Sequence, residues 1–250
     1  MKINLKNGLG ICAAVLSMAL SGAERRGTVC FTFDDYGGEN WVKANAIFKR
    51  YDARATFLVS GDITEEKARV MKELQTFGHT VGLHTIHHRN AIPVPADGGM
   101  QKYFDAEIAP QLEVCRKYGI KISAFAYPNN RHNQESDEFL FKHFNFLRAG
   151  WKKGVSAFIS LDAIKEKMVL PGGGIGLYYK RSSDELKTLL TQAHEKNALI
   201  VFYSHKIEPQ ATGVHMPTEL LEELLKHARK LNMNIIGVGE LTTLSRKSEQ

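Results

Sequence analysis

Two short clusters about fifty residues apart carry the residues best suited to chemistry. Val29-Cys30-Phe31-Thr32-Phe33 is an apolar, β-branched run that ends in Asp34-Asp35, and Gly82-Leu83 runs into His84-Thr85-Ile86-His87-His88. One carboxylate and two neutral imidazoles form a common catalytic zinc set, which leaves a position open for water. Adjacent carboxylates repel one another unless a cation or proton intervenes. A metal resolves that conflict by taking one carboxylate and leaving its neighbour free to act as general base toward water. The i, i+4 spacing of His84 and His88 puts both on one face of a helical turn, so both can reach one ion. His87 is expected to point elsewhere, Thr85 to hydrogen-bond nearby backbone and hold the turn, and His79 to be structural. The reaction class this pattern points to is metal-assisted hydrolysis.

These residues need elements to bring them together. Strand candidates are Val29–Phe33, Ala55–Val59, Thr80–Leu83, Ser123–Tyr127, Phe146–Arg148, Leu199–Tyr203 and Ile235–Val238. Helical spacing falls between them, near Trp41–Tyr51, Glu65–Phe77, Gln101–Tyr118, Glu135–His143, Ser183–Lys196 and Thr218–Leu231. Ser182 to Glu185 and Pro217 to Glu219 look like helix starts, Gly78 and Gly119 like stops. Alternation of this kind predicts parallel pairing, and about seven units can close into a single-domain, distorted (β/α) barrel. An open doubly wound sheet is the alternative.

Asp34-Asp35, His84 to His88, Pro128-Asn129 and Ser204-His205 each follow the C-terminal end of a strand candidate. In a parallel barrel those ends form one rim, where side chains distant in sequence share a pocket. On that rim His205 becomes the natural proton donor to a leaving amine, because imidazole ordinarily titrates near neutrality. The segment Pro171 to Gly176 superficially resembles a phosphate loop but follows no strong strand and opens no helix. It is expected to be a flexible loop near the site. Trp151 follows a strand end and is a candidate wall for a sugar.

The first 23 residues look like a signal peptide: Lys2 and Lys6, a mostly apolar Gly8 to Leu20, then Ser21-Gly22-Ala23 for the peptidase. Cys12 is followed by no plausible lipoprotein start. Removal leaves residues 24–250 as one catalytic domain and lowers the formal charge of +6 by the two leader lysines. So small a surplus, mixed among acids, argues against nucleic acid as a partner. Charges interrupt every later apolar run, so no membrane span is expected after cleavage. Export permits a disulfide, but Cys30 and Cys115 are read as two separate buried thiols.

The combined motifs resemble the polysaccharide deacetylase family (the NodB-homology domain, carbohydrate esterase family 4) over roughly Gly27 to Leu244. Thr32-Phe33-Asp34-Asp35 matches its first motif, His84-Thr85-Ile86-His87-His88 its second, and the apolar strand ending in His205 its last. The resemblance implies a barrel of about seven βα units and hydrolysis of N-acetyl, sometimes O-acetyl, groups on sugars. It implies Asp34 as base, His205 as general acid, and Asp35, His84 and His88 as ligands of zinc, with cobalt or nickel as alternatives. It also implies an oxyanion donor in the backbone N–H of Asn129, and a substrate pocket bordered by Tyr127, Pro128 and Trp151. The partner expected is an N-acetylated polysaccharide or cell-wall glycan met in the periplasm or outside the cell. A deacylase of non-glycan amides or esters and a degenerate glycan-binding domain are the competing classes. Two departures stand out. The third motif, Arg-x-Pro-Tyr/Phe, reads Ala126-Tyr127-Pro128-Asn129 here, so another cation or a hydrogen bond must substitute, with Arg131 and Arg148 as candidates. The fourth motif's Asp, which orients the acid histidine, has no counterpart around Arg148-Ala149-Gly150-Trp151.

Overall fold

The computed structural model describes residues 26–92 and 98–245. The leader with Cys12 and its cleavage site, and Pro93, Pro95 and Asp97 of the insertion after the histidines, lie outside the described residues. Strands and helices alternate from the start: β1 (Thr28–Phe33), α1 (Glu39–Arg50), β2 (Thr56–Val59), α2 (Glu65–Thr76) and β3 (Thr80–Leu83). The next helical stretch is two helices instead of one, α3 (Gly99–Glu107) and α4 (Ala109–Lys117). Pro110 sits in the first turn of α4, and with no N–H to donate it cannot continue the helix before it.

There follow β4 (Ala124–Ala126), α5 (Gln134–Leu140), β5 (Phe146–Gly150), β6 (Phe158–Ser160), β7 (Met168–Gly174), α6 (Ser183–Glu195) and β8 (Ala198–Ser204). The chain ends with β9 (Ile207–Glu208), β10 (Met216–Pro217), α7 (Thr218–Lys230), β11 (Asn234–Ile235) and α8 (Leu241–Ser245). Ser182 and Glu185 cap α6 reciprocally, as their spacing predicts.

Seven strands pair in parallel in the order β1-β2-β3-β4-β5-β7-β8, and β8 returns to β1 from Thr28↔Leu199 to Phe33↔Ser204. That last pairing closes the sheet into a barrel and excludes the open alternative. The membership of the ring differs from expectation by one strand. Ile235–Val238 yields only β11, which flanks β1 outside the ring, and β6 adds to β8 antiparallel.

The missing member is β7, which includes Pro171 to Gly174, the segment expected to be a flexible loop. Glycine has low strand propensity, so the pattern concealed it. Its glycines answer to the neighbours: a Cβ on Gly173 would stand 2.5 Å from the Trp151 ring, and one on Gly174 2.2 Å from that of Tyr179. A Cβ on Gly172 would meet Arg148 Cδ at 2.9 Å. The bare strand makes room for bulky side chains at the rim.

Alternation along the strands divides the core in two. Val29, Phe31, Phe33, Phe57 and Phe202 face the surrounding helices. Cys30, Leu58, Ala124, Ala126, Phe146, Leu199 and Val201 fill the barrel, with Ile236, Val238 and Leu241 packed against them. Continuing the inner parity by one step brings Asp34, His84, Arg148 and Tyr203 to the same end of the barrel. Gly82, two residues before His84, lies so close to β4 that a Cβ would come within 2.4 Å of the Ala124 carbonyl. Cys30 and Cys115 are both buried and free. No described helix is long and apolar enough to cross a membrane.

His79 is structural. Its Nδ1 accepts the Ala55 N–H at 3.1 Å, Nε2 lies 3.2 Å from Asn45 Oδ1, and Phe48 and Phe57 enclose the ring edge-on. Burial, assisted by Arg54, lowers its pKa from 6.5 to about 4. Between those values the unfolded chain binds a proton that the native protein refuses, so this residue's contribution falls as the pH falls. The slope is about 1.4 kcal/mol per pH unit at most. His79→Gln is therefore expected to flatten the acid loss of stability between pH 6.5 and 4 in urea titrations. Parallel curves for variant and wild type would contradict this.

Candidate active site

Asp35, His84 and His88 offer ligand atoms that all lie within 4.8 Å of one another, the one such group among the described residues. His84 Nδ1 donates to the Ala126 carbonyl at 2.9 Å, which turns the lone pair of Nε2 toward the rim. Nε2 of His88 is 3.2 Å from it. Two nitrogens about 2.1 Å from one tetrahedral ion stand about 3.4 Å apart, so the pair fits a shared cation. Asp35 Oδ1 lies 3.7 Å from His84 Nε2 and 3.9 Å from His88 Nε2. The donor set suits a divalent transition metal, because two imidazoles and a carboxylate match borderline ions better than calcium or magnesium.

The histidines converge without the helical turn their spacing suggested. Residues 84–90 form no helix, and Thr85 and His88 take left-handed backbone, φ 67° and 55°. A β-branched residue in that region stores about 1–3 kcal/mol of strain, which the surroundings must hold. The Thr85 hydroxyl, expected to brace the turn, is buried without a partner. Its carbonyl accepts instead from Gly61 N–H at 2.9 Å and from Gln111 Nε2 at 3.3 Å. On the other side, buried Glu107 takes the His87 N–H at 2.8 Å and pairs with His87 Nδ1 at 3.0 Å. His87 thus points away from the His84 and His88 pair, and Glu107 clamps the loop between them. A lone Glu at a helix end gave no signal of that role.

Asp34 and Asp35 have opposite surroundings. Asp35 is half exposed with φ 71°, whereas Asp34 is only 3% exposed. Arg148 Nη2 donates to Asp34 Oδ2, and Arg148 Nη1 donates to Asn130 Oδ1 at 2.6 Å. The guanidinium also lies 4.5 Å from the centroid of the Tyr203 ring. Burial pushes the Asp34 carboxyl pKa upward, but Arg148, with His84 and His205, overcomes it and holds the carboxyl below its usual range. Asp34 Oδ1 has no protein partner.

Of the two arginine candidates, Arg148 is the one that pairs, and Arg131 is exposed. Ala126 and Arg148 are register partners on β4 and β5. The cation therefore comes from the adjacent strand, at the level where the family motif would have placed it.

His205 completes the cluster, with Nε2 3.7 Å from Asp35 Oδ2. Its Nδ1 faces the Val214 carbonyl at 3.2 Å, and its own carbonyl accepts from Trp41 Nε1 at 3.2 Å. A main-chain oxygen stands where a carboxylate was sought, and no residue type could have announced it.

Asn129 sits beside this cluster with φ 52°, its side chain donating to Asn90 at 2.9 Å. Together with His88, Arg89, Lys102 and Tyr103 it borders a cleft of about 400 Å³. Trp151 is half buried, its Nε1 donating to the Pro171 carbonyl at 3.1 Å and Arg181 4.8 Å above its ring. Pro128 is buried. Tyr127 is a core residue and not an open wall: it is fully buried, stacked on His132, with its hydroxyl donating to Asp137 at 2.7 Å.

Comparison with known proteins agrees with this geometry. The polysaccharide deacetylase family profile matches residues 21–142, which contain the two acidic and histidine motifs. The chain is 26% identical over 197 residues to a peptidoglycan-N-acetylglucosamine deacetylase of Bacillus cereus, covering 73% of this chain and 69% of that protein. Its fold is that of the peptidoglycan deacetylase PdaC of Bacillus subtilis, at TM-score 0.61 and 14% identity, covering 90% of this chain and 94% of the other. A pseudoenzyme of carbohydrate esterase family 4 from Bacillus anthracis is similar at TM-score 0.57 and 16% identity, over 87% of this chain and 66% of that one. Profile, relative and fold thus agree: residues 21–142 match the polysaccharide deacetylase family, and the chain as a whole is similar to its members.

Proposed function

We propose that this protein is an exported, metal-dependent hydrolase that removes N-acetyl groups from an N-acetylated polysaccharide or cell-wall glycan. The observation that carries the reading is the split between the neighbouring carboxylates. One is buried, charged and held by an arginine with an oxygen to spare; the other is half exposed beside two imidazole nitrogens. The leader-like N-terminus supports export to the periplasm or beyond.

Asp35, His84 and His88 would hold the metal, zinc in this reading with cobalt or nickel as alternatives. When bound, it supplies Lewis-acid polarisation of the acetyl carbonyl and of the attacking water. Asp34 receives the proton from that water at Oδ1, while Arg148 keeps Oδ2 engaged and the carboxyl ionised. The Asn129 N–H donates to the oxygen that gains charge as the carbonyl becomes tetrahedral. His205 delivers a proton from Nε2 to the departing nitrogen, since an amine leaves poorly as an anion. Trp151 borders the sugar at the rim.

The direct test is acetate release from chitooligosaccharides, poly-N-acetylglucosamine and peptidoglycan, with simple amides and aryl acetates as non-glycan controls. We expect release from at least one glycan that chelation abolishes and zinc or cobalt restores. No release from any glycan by protein holding one equivalent of metal would contradict the reading and favour a binding role like that of a pseudoenzyme. Faster turnover of the non-glycan controls would favour the wider deacylase class.

The arginine on the neighbouring strand yields a second prediction. Arg148→Met leaves Asp34 as a buried carboxylate without its cation, which costs about 3–5 kcal/mol of stability. Turnover should fall at least a hundredfold, and the double variant Arg148→Met/Ala126→Arg should recover part of both losses. Turnover within twofold of wild type in Arg148→Met would show that Asp34 needs no such partner.

A further inference from the structure

Beyond His205 itself, the segment between β8 and α7 has no part in the chemistry above, yet it carries the oxygen that meets that ring. The Val214 carbonyl accepts from Ser204 Oγ at 3.0 Å as well as facing His205 Nδ1 at 3.2 Å. A main-chain acceptor is only as well placed as the loop that bears it. This loop is closed at its base, where β9 and β10 pair Ile207 with Met216 and the Met216 N–H donates to Lys206 at 2.8 Å. Its outer part is tied by the Tyr178 N–H, which donates to the Gly213 carbonyl at 2.7 Å.

One side-chain pair spans the two halves. His215 Nδ1 meets Glu208 Oε1 at 2.6 Å, and Asn40 Nδ2 reaches the other carboxylate oxygen at 3.4 Å. Both partners of the pair are about a quarter exposed, so they are partly screened by the loop they close. His215 is the residue directly after Val214, so the pair fixes the peptide that carries the acceptor.

We propose that Glu208 and His215 form a latch that holds the Val214 carbonyl in place and thereby aims His205 Nε2 at the leaving nitrogen. Both are positioning residues, and the proposal rests on His205 being the proton donor. The carbonyl takes the Nδ1–H, so one ring orientation is selected and Nε2 is turned toward the cluster. A carboxylate would do the same while adding a negative charge; a latched carbonyl does so without one. Without the latch, the acceptor moves with the loop and the ring is free to rotate.

A leaving group that needs no proton separates this role from general loosening of the site. Zinc-loaded full-length protein would be assayed on an N-acetylglucosamine oligomer and on 4-nitrophenyl acetate, comparing wild type, Glu208→Ala, His215→Ala, His215→Gln and His205→Ala. We expect Glu208→Ala and His215→Ala to lower kcat on the acetamide at least tenfold, with KM and zinc content unchanged. Loss on the aryl ester should stay under threefold, because nitrophenolate departs unprotonated. His215→Gln keeps an N–H donor toward Glu208 and should recover most of the acetamide rate. Equal losses on both substrates, or no loss on the acetamide, would overturn the latch, provided that His205→Ala is itself selective for the acetamide. If His205→Ala slows both substrates alike, the proton-donor reading fails and the latch falls with it.

Discussion

The buried ion pair between Asp34 and Arg148 is the interaction on which the rest of the site depends. Two adjacent carboxylates at the mouth of a barrel would otherwise share protons or drive one another apart. Arg148 removes that conflict for one of them. It fixes Asp34 as an anion inside the barrel, leaves its second oxygen uncommitted, and allows Asp35 to turn outward toward His84 and His88. Because a desolvated charge is tolerable only with its partner, the pair also constrains the strands that carry it. The end of β1 must meet Arg148 in the middle of β5, and β7 must be bare at Gly172, where a Cβ would stand 2.9 Å from Arg148 Cδ.

The arrangement also shows how one site can be built from different parts. The arginine is absent from its motif position, yet the register partner on the adjacent strand reaches the same carboxylate from the same face of the sheet. The aspartate expected near His205 is absent too, and a main-chain carbonyl faces the ring nitrogen in its stead. Both substitutions follow from the barrel. Strands in register present interchangeable positions to the lumen, and loops at the C-terminal rim can bring a backbone oxygen wherever a side chain might have reached.

Much of this was legible in the sequence, for identifiable reasons. Period-two burial carried Cys30 and Thr32 into Asp34, and Gly82 into His84, so the polar residues at the strand ends were enough to declare a shared rim. Six of the seven strands of the ring followed from the same alternation. The signal failed where physics operates without a characteristic residue. Pro171 to Gly174 gave no strand pattern because the strand is defined by what its neighbours need, not by its own side chains. Arg148 could not be chosen over Arg131 without the register. Glu107 and Val214 act through a buried carboxylate at a helix end and a carbonyl, neither of which stands out in a sequence. The turn at His84 to His88 was expected to be helical, whereas its two end histidines meet through left-handed backbone at Thr85 and His88.

The division of labour between Asp34 and Asp35 is the central claim, and calorimetric zinc titration of Asp34→Asn and Asp35→Asn, with turnover measured on the same samples, tests it most directly. Asp34→Asn should bind one zinc with an affinity close to wild type and turn over no substrate. Asp35→Asn should bind zinc at least a hundredfold more weakly. Loss of zinc in Asp34→Asn with retention in Asp35→Asn would reverse the two roles, and turnover near wild type in Asp34→Asn would remove the buried carboxylate from the chemistry altogether.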